Sequence, residues 1–262
     1  VYNAILSYRK PNYMPFDYYS DKFWLHWATG GTSGIVSGLK GSGKTSFALL
    51  LAEIAKRYGK IVLTNIRITD KNWEDSYFYS FSQLMEKLCD KALHIYEERQ
   101  KGHEIPGILI IFDEMTVAGI RKKKAMAGKS LNIDEFDRLT RKFYADSLYI
   151  WHYEREIPTD IMDSVNFLAH KFGNTTSSGV RKRKTGMFTF IDGNNREIYY
   201  IKDIPNTNLK YITEDSAFFK MDIKMSSIID RLQDIEQEYR DAGDEFRMVR
   251  NAVRELRKEE GE

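Results

Sequence analysis

The stretch GLKGSGKTS, residues 38–46, constrains the fold of this 262-residue chain more than any other feature. It fits G-x-x-x-x-G-K-[ST], a loop that works only between a buried strand and the N-terminus of a helix. Both flanks are present. GIVSG, ending at Gly38, reads as a short apolar strand. KTSFALLLAEIAKRYG reads as a helix with Phe47, Leu50, Leu51, Ile54 and Tyr58 on one face and Gly59 as its stop. A nucleoside triphosphate presents clustered negative charge, and Gly38, Gly41 and Gly43 let the backbone wrap close with N–H groups inward. Ser42 and Ser46 belong to the same cradle. Lys44 is expected at the β- and γ-phosphates and Thr45 at Mg²⁺, with ATP as the nucleotide.

The rest of the chain alternates strand and helix. KIVLTNIRI, starting at Lys60, reads as a strand. Ser80 and Gln83 have capping-box spacing, and a helix follows to about Lys101. GILIIFDE, ending at Glu114, is a continuous apolar run suited to the centre of a parallel sheet. Asn132 is the expected cap of a helix with Phe136, Leu139 and Phe143 at helical spacing. SLYIWHY is the next strand, PTDIMDSVNFLAHKFG is expected to be a helix, and GMFTFIDGNNREIYYIK a hairpin around Asp192 and Gly193. The fold class is therefore α/β, with a mainly parallel central sheet flanked by helices and a helical C-terminal appendage. Three parts are expected: an aromatic-rich, irregular lead-in at residues 1–30, an ATPase domain at 31–215 and a helical tail at 216–262.

In the tail, Ile228, Leu232, Ile235, Tyr239, Ala242, Phe246, Val249, Val253 and Leu256 alternate spacings of four and three, a heptad seam. It predicts one long helix or a helical hairpin turning at Gly243 with Asp244 as cap. The seam either docks on its own domain or pairs with a neighbouring subunit or a capsid-side partner.

Composition closes other routes. The single cysteine, Cys89, excludes a disulfide framework or a cysteine zinc site within one chain and reads as a buried apolar side chain. No apolar run approaches the roughly 18 residues of a membrane span, and VYNAILSYRKPNY lacks a signal-peptide core. An intracellular, cytoplasmic location is the expectation; the start at Val1 rather than Met allows a processed or trimmed beginning. The net charge is only +2, so any argument for nucleic acid rests on where charge sits.

Asp113 ends a buried strand, where a carboxylate can hold Mg²⁺ through water. Glu114 is placed to orient and polarise an attacking water. The tandem favours hydrolysis over phosphoryl transfer to a small acceptor. His152 ends the next strand, where the carboxyl ends of parallel strands line a ligand crevice. Arg155 follows closely and could act across a subunit boundary as an arginine finger. Two basic runs flank this region: Arg121, Lys122, Lys123 and Lys124, then Arg181, Lys182, Arg183 and Lys184. Both are expected in loops that touch DNA phosphates.

The blocks GLKGSGKTSFALLLAE, IVLTNIRI, ILIIFDE, LYIWHYEREIPTDI and IPNTNLKYITED occur in an order that resembles the FtsK–HerA superfamily of P-loop DNA-pumping ATPases. The resemblance is strongest to viral genome-packaging ATPases and to zonula occludens toxin-like phage assembly ATPases. By position, Lys44 and Thr45 match the Walker A pair, and Asp113 and Glu114 the Walker B pair. His152 stands where the family usually carries a polar sensor, often glutamine. The phage assembly branch usually has a membrane span, so its absence here points to packaging. The resemblance implies an ATPase ring, commonly a hexamer, with double-stranded DNA in its channel. Two other classes stay open from the residues: a P-loop nucleotide or metabolite kinase, and a nucleotide-switched, non-motor assembly protein.

Overall fold

The glycine-loop strand lies inside the sheet, with a parallel neighbour on each side. In the computed structural model, β2 (Gly34–Gly38) pairs with β6 (Ala145–Ile150) on one side and β7 (Phe167–Lys171) on the other. β5 (Ile108–Phe112) continues beyond β6, and β3 (Ile61–Thr64) beyond β5, all parallel. Past β7 the direction reverses. β8 (Gly186–Asp192) is antiparallel to β7 and to β9 (Asn195–Lys202), and β1 (Asn12–Pro15) runs parallel to β9 on the outer edge. The structure describes residues 12–15, 27, 31, 33–113, 133–152, 157, 162, 165–172, 186–192, 195–202, 204–212, 219–234 and 241–260.

Helices cover both faces, which is why the inner strands are apolar without alternation. On one face α1 (Lys44–Arg57) packs Phe47, Leu50, Leu51 and Ile54 against Val36, Leu109, Ile111, Leu148 and Ile150. On the other, α2 (Phe81–Gln100), α3 (Ile133–Lys142), α4 (Met225–Gln233) and α5 (Ala242–Glu259) cover Ile35, Leu63, Ile110, Phe112 and Tyr149. This is a P-loop architecture: a mainly parallel central sheet flanked by helices, with a C-terminal helix. The α2 start uses Ser80 Oγ to accept from Gln83 N (3.3 Å), while Gln83 Oε1 accepts from Tyr79 N (2.9 Å).

Several sequence expectations need correction. PTDIMDSVNFLAHKFG is not a helix throughout: residues 167–171 form β7. Phe167, Ala169 and Lys171 are buried while Leu168 and His170 are half-buried, a period of two that ladders on both sides hold in place. The Lys60–Ile68 strand is two strands. β3 ends at Thr64, and β4 (Arg67–Ile68) pairs instead with β10 (Tyr211–Ile212) in a separate small sheet. Tyr58 is exposed at the end of α1 rather than part of its buried face. The lead-in is not wholly irregular, since β1 joins the sheet and Trp27 is buried against Phe167, its indole N–H reaching Leu51 O at 3.3 Å. Asn132, Gly193 and Ile235 lie outside the described residues.

Among the described residues the tail holds two helices, α4 and α5, and the seam positions they carry turn inward. Ile228, Phe246, Val249 and Val253 are buried in the core that α2 lines. Asp241, not Asp244, caps α5, its carboxylate accepting from Asp244 N at 2.8 Å. Gly243 sits in the first turn of α5, where an added Cβ would stand 3.1 Å from the Tyr96 ring. It marks close packing against α2 rather than a turn.

Candidate nucleotide site

Three conformational facts shape the loop between β2 and α1. Gly38, Gly41 and Gly43 have φ of 145, 77 and 84°. At Gly38 a Cβ would lie 2.4 Å from Lys171 O and 2.9 Å from Ser42 Oγ, so the strand can turn into the loop only with glycine there. Gly43 is the left-handed N-cap of α1 and provides no side-chain cap, so the first N–H groups of the helix receive no acceptor from it. Ser42 is 2% exposed, and its Oγ has no hydrogen-bond partner among the described residues. A buried hydroxyl without a partner is costly. An anion seated in the loop is the natural group to satisfy it.

Lys44 and Thr45 open the helix. The Lys44 ammonium is buried and donates to the carbonyls of Gly38 (2.9 Å) and Leu39 (3.0 Å), across the mouth of the loop. Thr45 Oγ1 donates to Asp113 Oδ2 at 3.0 Å. Asp113 follows β5 directly and is 4% exposed. Its position comes from sheet order: β6 lies between β2 and β5, so the carboxylate reaches back over β6's end toward α1. A threonine hydroxyl and a carboxylate in contact are hard oxygen donors of the kind Mg²⁺ takes. The residues present therefore fit that ion.

Of the residues expected from sequence, Gly38, Gly41, Ser42, Gly43, Lys44, Thr45, Ser46 and Asp113 come together at the carboxyl edge of the parallel strands. His152 lies two residues past the end of β6, half-buried, on the same edge. Glu114, Arg155, the Arg121, Lys122, Lys123 and Lys124 run and the Arg181, Lys182, Arg183 and Lys184 run lie outside the described residues.

Three further residues, Asn65, Thr207 and Tyr211, contact these positions. Asn65, 2% exposed, holds the backbone of Asp113 at both ends: Oδ1 accepts from Asp113 N (2.7 Å) and Nδ2 donates to Asp113 O (3.0 Å). Residues 204–212 form a strap over α1. Thr207 N donates to Ser46 Oγ (3.3 Å), and Thr207 Oγ1 to Glu53 Oε2 (2.6 Å). Tyr211 in β10 shares a side-chain hydrogen bond with Ser46; burial pushes its phenol up, the Asp113 charge adds to that, and the Ser46 bond opposes it. Lys171, buried at the end of β7, stands with its carbonyl against Gly38 and its ammonium 5.6 Å from the Phe47 ring. IVLTNIRI and IPNTNLKYITED contain Asn65, Thr207 and Tyr211, but only the tertiary fold gives these residues their partners.

No known family profile matches the chain, and no curated protein matches it. Among solved structures, it is similar to the genome packaging NTPase of Sulfolobus turreted icosahedral virus 2 in complex with ATP-gammaS. That match has 11% identity and a TM-score of 0.45, and covers 67% of this chain and 98% of that one. It is also similar to the N-terminal domain of zonular occludens toxin from Neisseria meningitidis (14% identity, 72% of this chain, 100% of that one, TM-score 0.37). A third is the flagellar accessory protein FlaH from Methanocaldococcus jannaschii (16% identity, 75% and 97% covered, TM-score 0.39). At these values the likeness is one of fold.

Proposed function

We propose that the chain is a Mg²⁺-dependent ATPase whose turnover drives DNA translocation in viral genome packaging, working as a ring of identical subunits. The observation that carries the ATPase reading is the loop itself. Left-handed glycines, a helix N-terminus with no side-chain cap, a buried Ser42 hydroxyl with no hydrogen-bond partner among the described residues and the buried Lys44 ammonium all belong to this one loop. Beside it stands the Thr45–Asp113 contact.

The chemistry follows from these groups. The triphosphate would take the Lys44 ammonium from the carbonyls of Gly38 and Leu39, exchanging two neutral acceptors for charged ones. Ser42 and the α1 amides would hold the phosphate chain, with Ser46 at its inner end. Mg²⁺, when bound, would offset charge on the phosphoryl oxygens during transfer to water. Thr45 and Asp113 are the residues that would hold it. Glu114, one residue past the clamped Asp113 peptide, would orient the attacking water and accept its proton. His152 would report the γ-phosphate from the end of β6, and Arg155 would reach the same charge from a neighbouring subunit. DNA enters this reading through the two basic runs and the order of sequence blocks. Their loops would grip phosphates in one nucleotide state and release them in the next.

Two substitutions separate the steps. Lys44→Ala is expected to weaken ATP binding about tenfold or more, the worth of a charge-assisted hydrogen bond. Glu114→Gln is expected to keep binding while turnover falls roughly 10²–10⁴-fold, the usual contribution of a general base. Near-normal turnover in Glu114→Gln removes that residue from the water-activating role. Undiminished ATP binding in Lys44→Ala removes the loop from the nucleotide site.

A further inference from the structure

We infer that Asn65 is a positioning residue: its carboxamide extends the β3–β5 ladder by one rung and thereby sets the Asp113 carboxylate for the cation. The inference rests on the ATPase reading above. The two strands pair from Ile61↔Ile108 to Thr64↔Ile111, and Asn65 N donates to Ile111 O at 3.3 Å. There the backbone of β3 leaves the sheet, because residues 67–68 pair with β10 instead. The next peptide beyond β5 is that of Asp113, past the last β3–β5 backbone pair, Thr64↔Ile111. The Asn65 side chain supplies a further rung. A primary amide has the donor and the acceptor of a peptide unit, and both are used, at 2.7 Å to Asp113 N and 3.0 Å to Asp113 O. The amide's orientation is fixed by this chemistry, since a backbone N–H can only donate and a carbonyl can only accept.

The same arrangement shows why other residues would fail. Aspartate cannot donate to the carbonyl. Serine and alanine are too short to span both groups. Losing this rung would remove two restraints on the Asp113 peptide, and so loosen the carboxylate that meets Thr45 Oγ1 at 3.0 Å. Asn65 touches neither Thr45 nor the loop in the hydrogen bonds it makes here. Its effect therefore passes through Asp113.

The test is a binding measurement on the full chain with a non-hydrolysable ATP analogue, in Mg²⁺ and in EDTA. It compares the unaltered protein with Asn65→Ala and Asn65→Ser. The serine variant leaves a polar site that water can enter at both orphaned groups, which protects folding if alanine does not. The unaltered chain is expected to gain about tenfold in affinity from Mg²⁺, and the variants less than about threefold, with all three alike in EDTA. A full Mg²⁺ gain in the variants would overturn the role of Asn65 and leave the ATPase reading standing. So would a loss in EDTA as large as that in Mg²⁺, which would make Asn65 a strand-end stabiliser only. No binding by the unaltered chain in either condition would sink the ATPase reading, and this inference with it.

Discussion

At the scale of single residues, the glycines of the loop are not equivalent. Gly38→Ala must push a methyl group against Lys171 O, 2.4 Å away in the strand alongside, at a φ of 145°. Gly41→Ala meets nothing within 4 Å and bears only the backbone strain of its φ of 77°. That strain is about 1–2 kcal/mol. Thermal unfolding should therefore show a clearly larger loss for Gly38→Ala than for Gly41→Ala, and nucleotide binding should fail in the first. Equal losses would mean that β7 yields and that the packing against Lys171 is soft. Cys89 offers a second check. It is buried in α2, and burial pushes its thiol up, so the reactive thiolate is disfavoured. An alkylating reagent at mildly alkaline pH should label it only after denaturant is added; rapid labelling of the folded chain would contradict its placement. At this scale much of the site was legible. The glycine spacing, Lys44, Thr45 and the acid after ILIIF stand out through local pattern alone, and the fold brings them together. Asn65 does not stand out, because a single asparagine within KIVLTNIRI carries no local pattern that assigns it a partner. Its meaning depends on a strand far away in sequence.

At the scale of elements, the helical tail behaves as part of the core. Phe246 packs on Phe143 at 4.9 Å between ring centroids and lies 1% exposed, with Val249 and Val253 beside it. Phe246→Ala is expected to cost about 3–5 kcal/mol, read as a fall in the unfolding midpoint. Nucleotide affinity measured below that midpoint should be unchanged, since α5 packs on the sheet face opposite α1. A chain cut after Met225 would expose the apolar side of α2 and should aggregate or melt early. Sedimentation of a stable, folded truncated chain would contradict the docking. The 3.5-residue period of the tail was visible in the sequence, but the period alone does not name the surface that receives it. β7 shows the reverse case. Its apolar residues fit a helical spacing when read with PTDIMD, and only the ladders to β2 and β8 select the alternating face. Similarly, β3 and β4 read as one strand because Asn65 and Ile66 give no strong turn signal. The split exists because β10, far along the chain, returns to pair with β4.

At the scale of the whole molecule, sheet order turns separated motifs into one edge. β2, β6 and β5 place the glycine loop, His152 and Asp113 along their carboxyl ends. The strap at residues 204–212 returns over α1 to touch Ser46 and Glu53. The alternation of strands and helices made the α/β class legible, whereas the antiparallel extension by β8 and β9 with β1 on its edge depends on long-range pairing. The proposed action on DNA has its own signature. Neutralising Arg121, Lys122, Lys123 and Lys124 together should weaken DNA binding alike across sequences. It should also flatten the logarithmic salt dependence by about one unit for each DNA phosphate that the chain no longer neutralises. An unchanged slope would make that run an ordinary solvated patch. The most direct test of the central claim is the steady-state ATPase rate of the full chain in Mg²⁺, with and without double-stranded DNA. Turnover is expected to be measurable and to rise several-fold when DNA is added. A rate that DNA leaves unmoved, or no turnover at all, would contradict that claim.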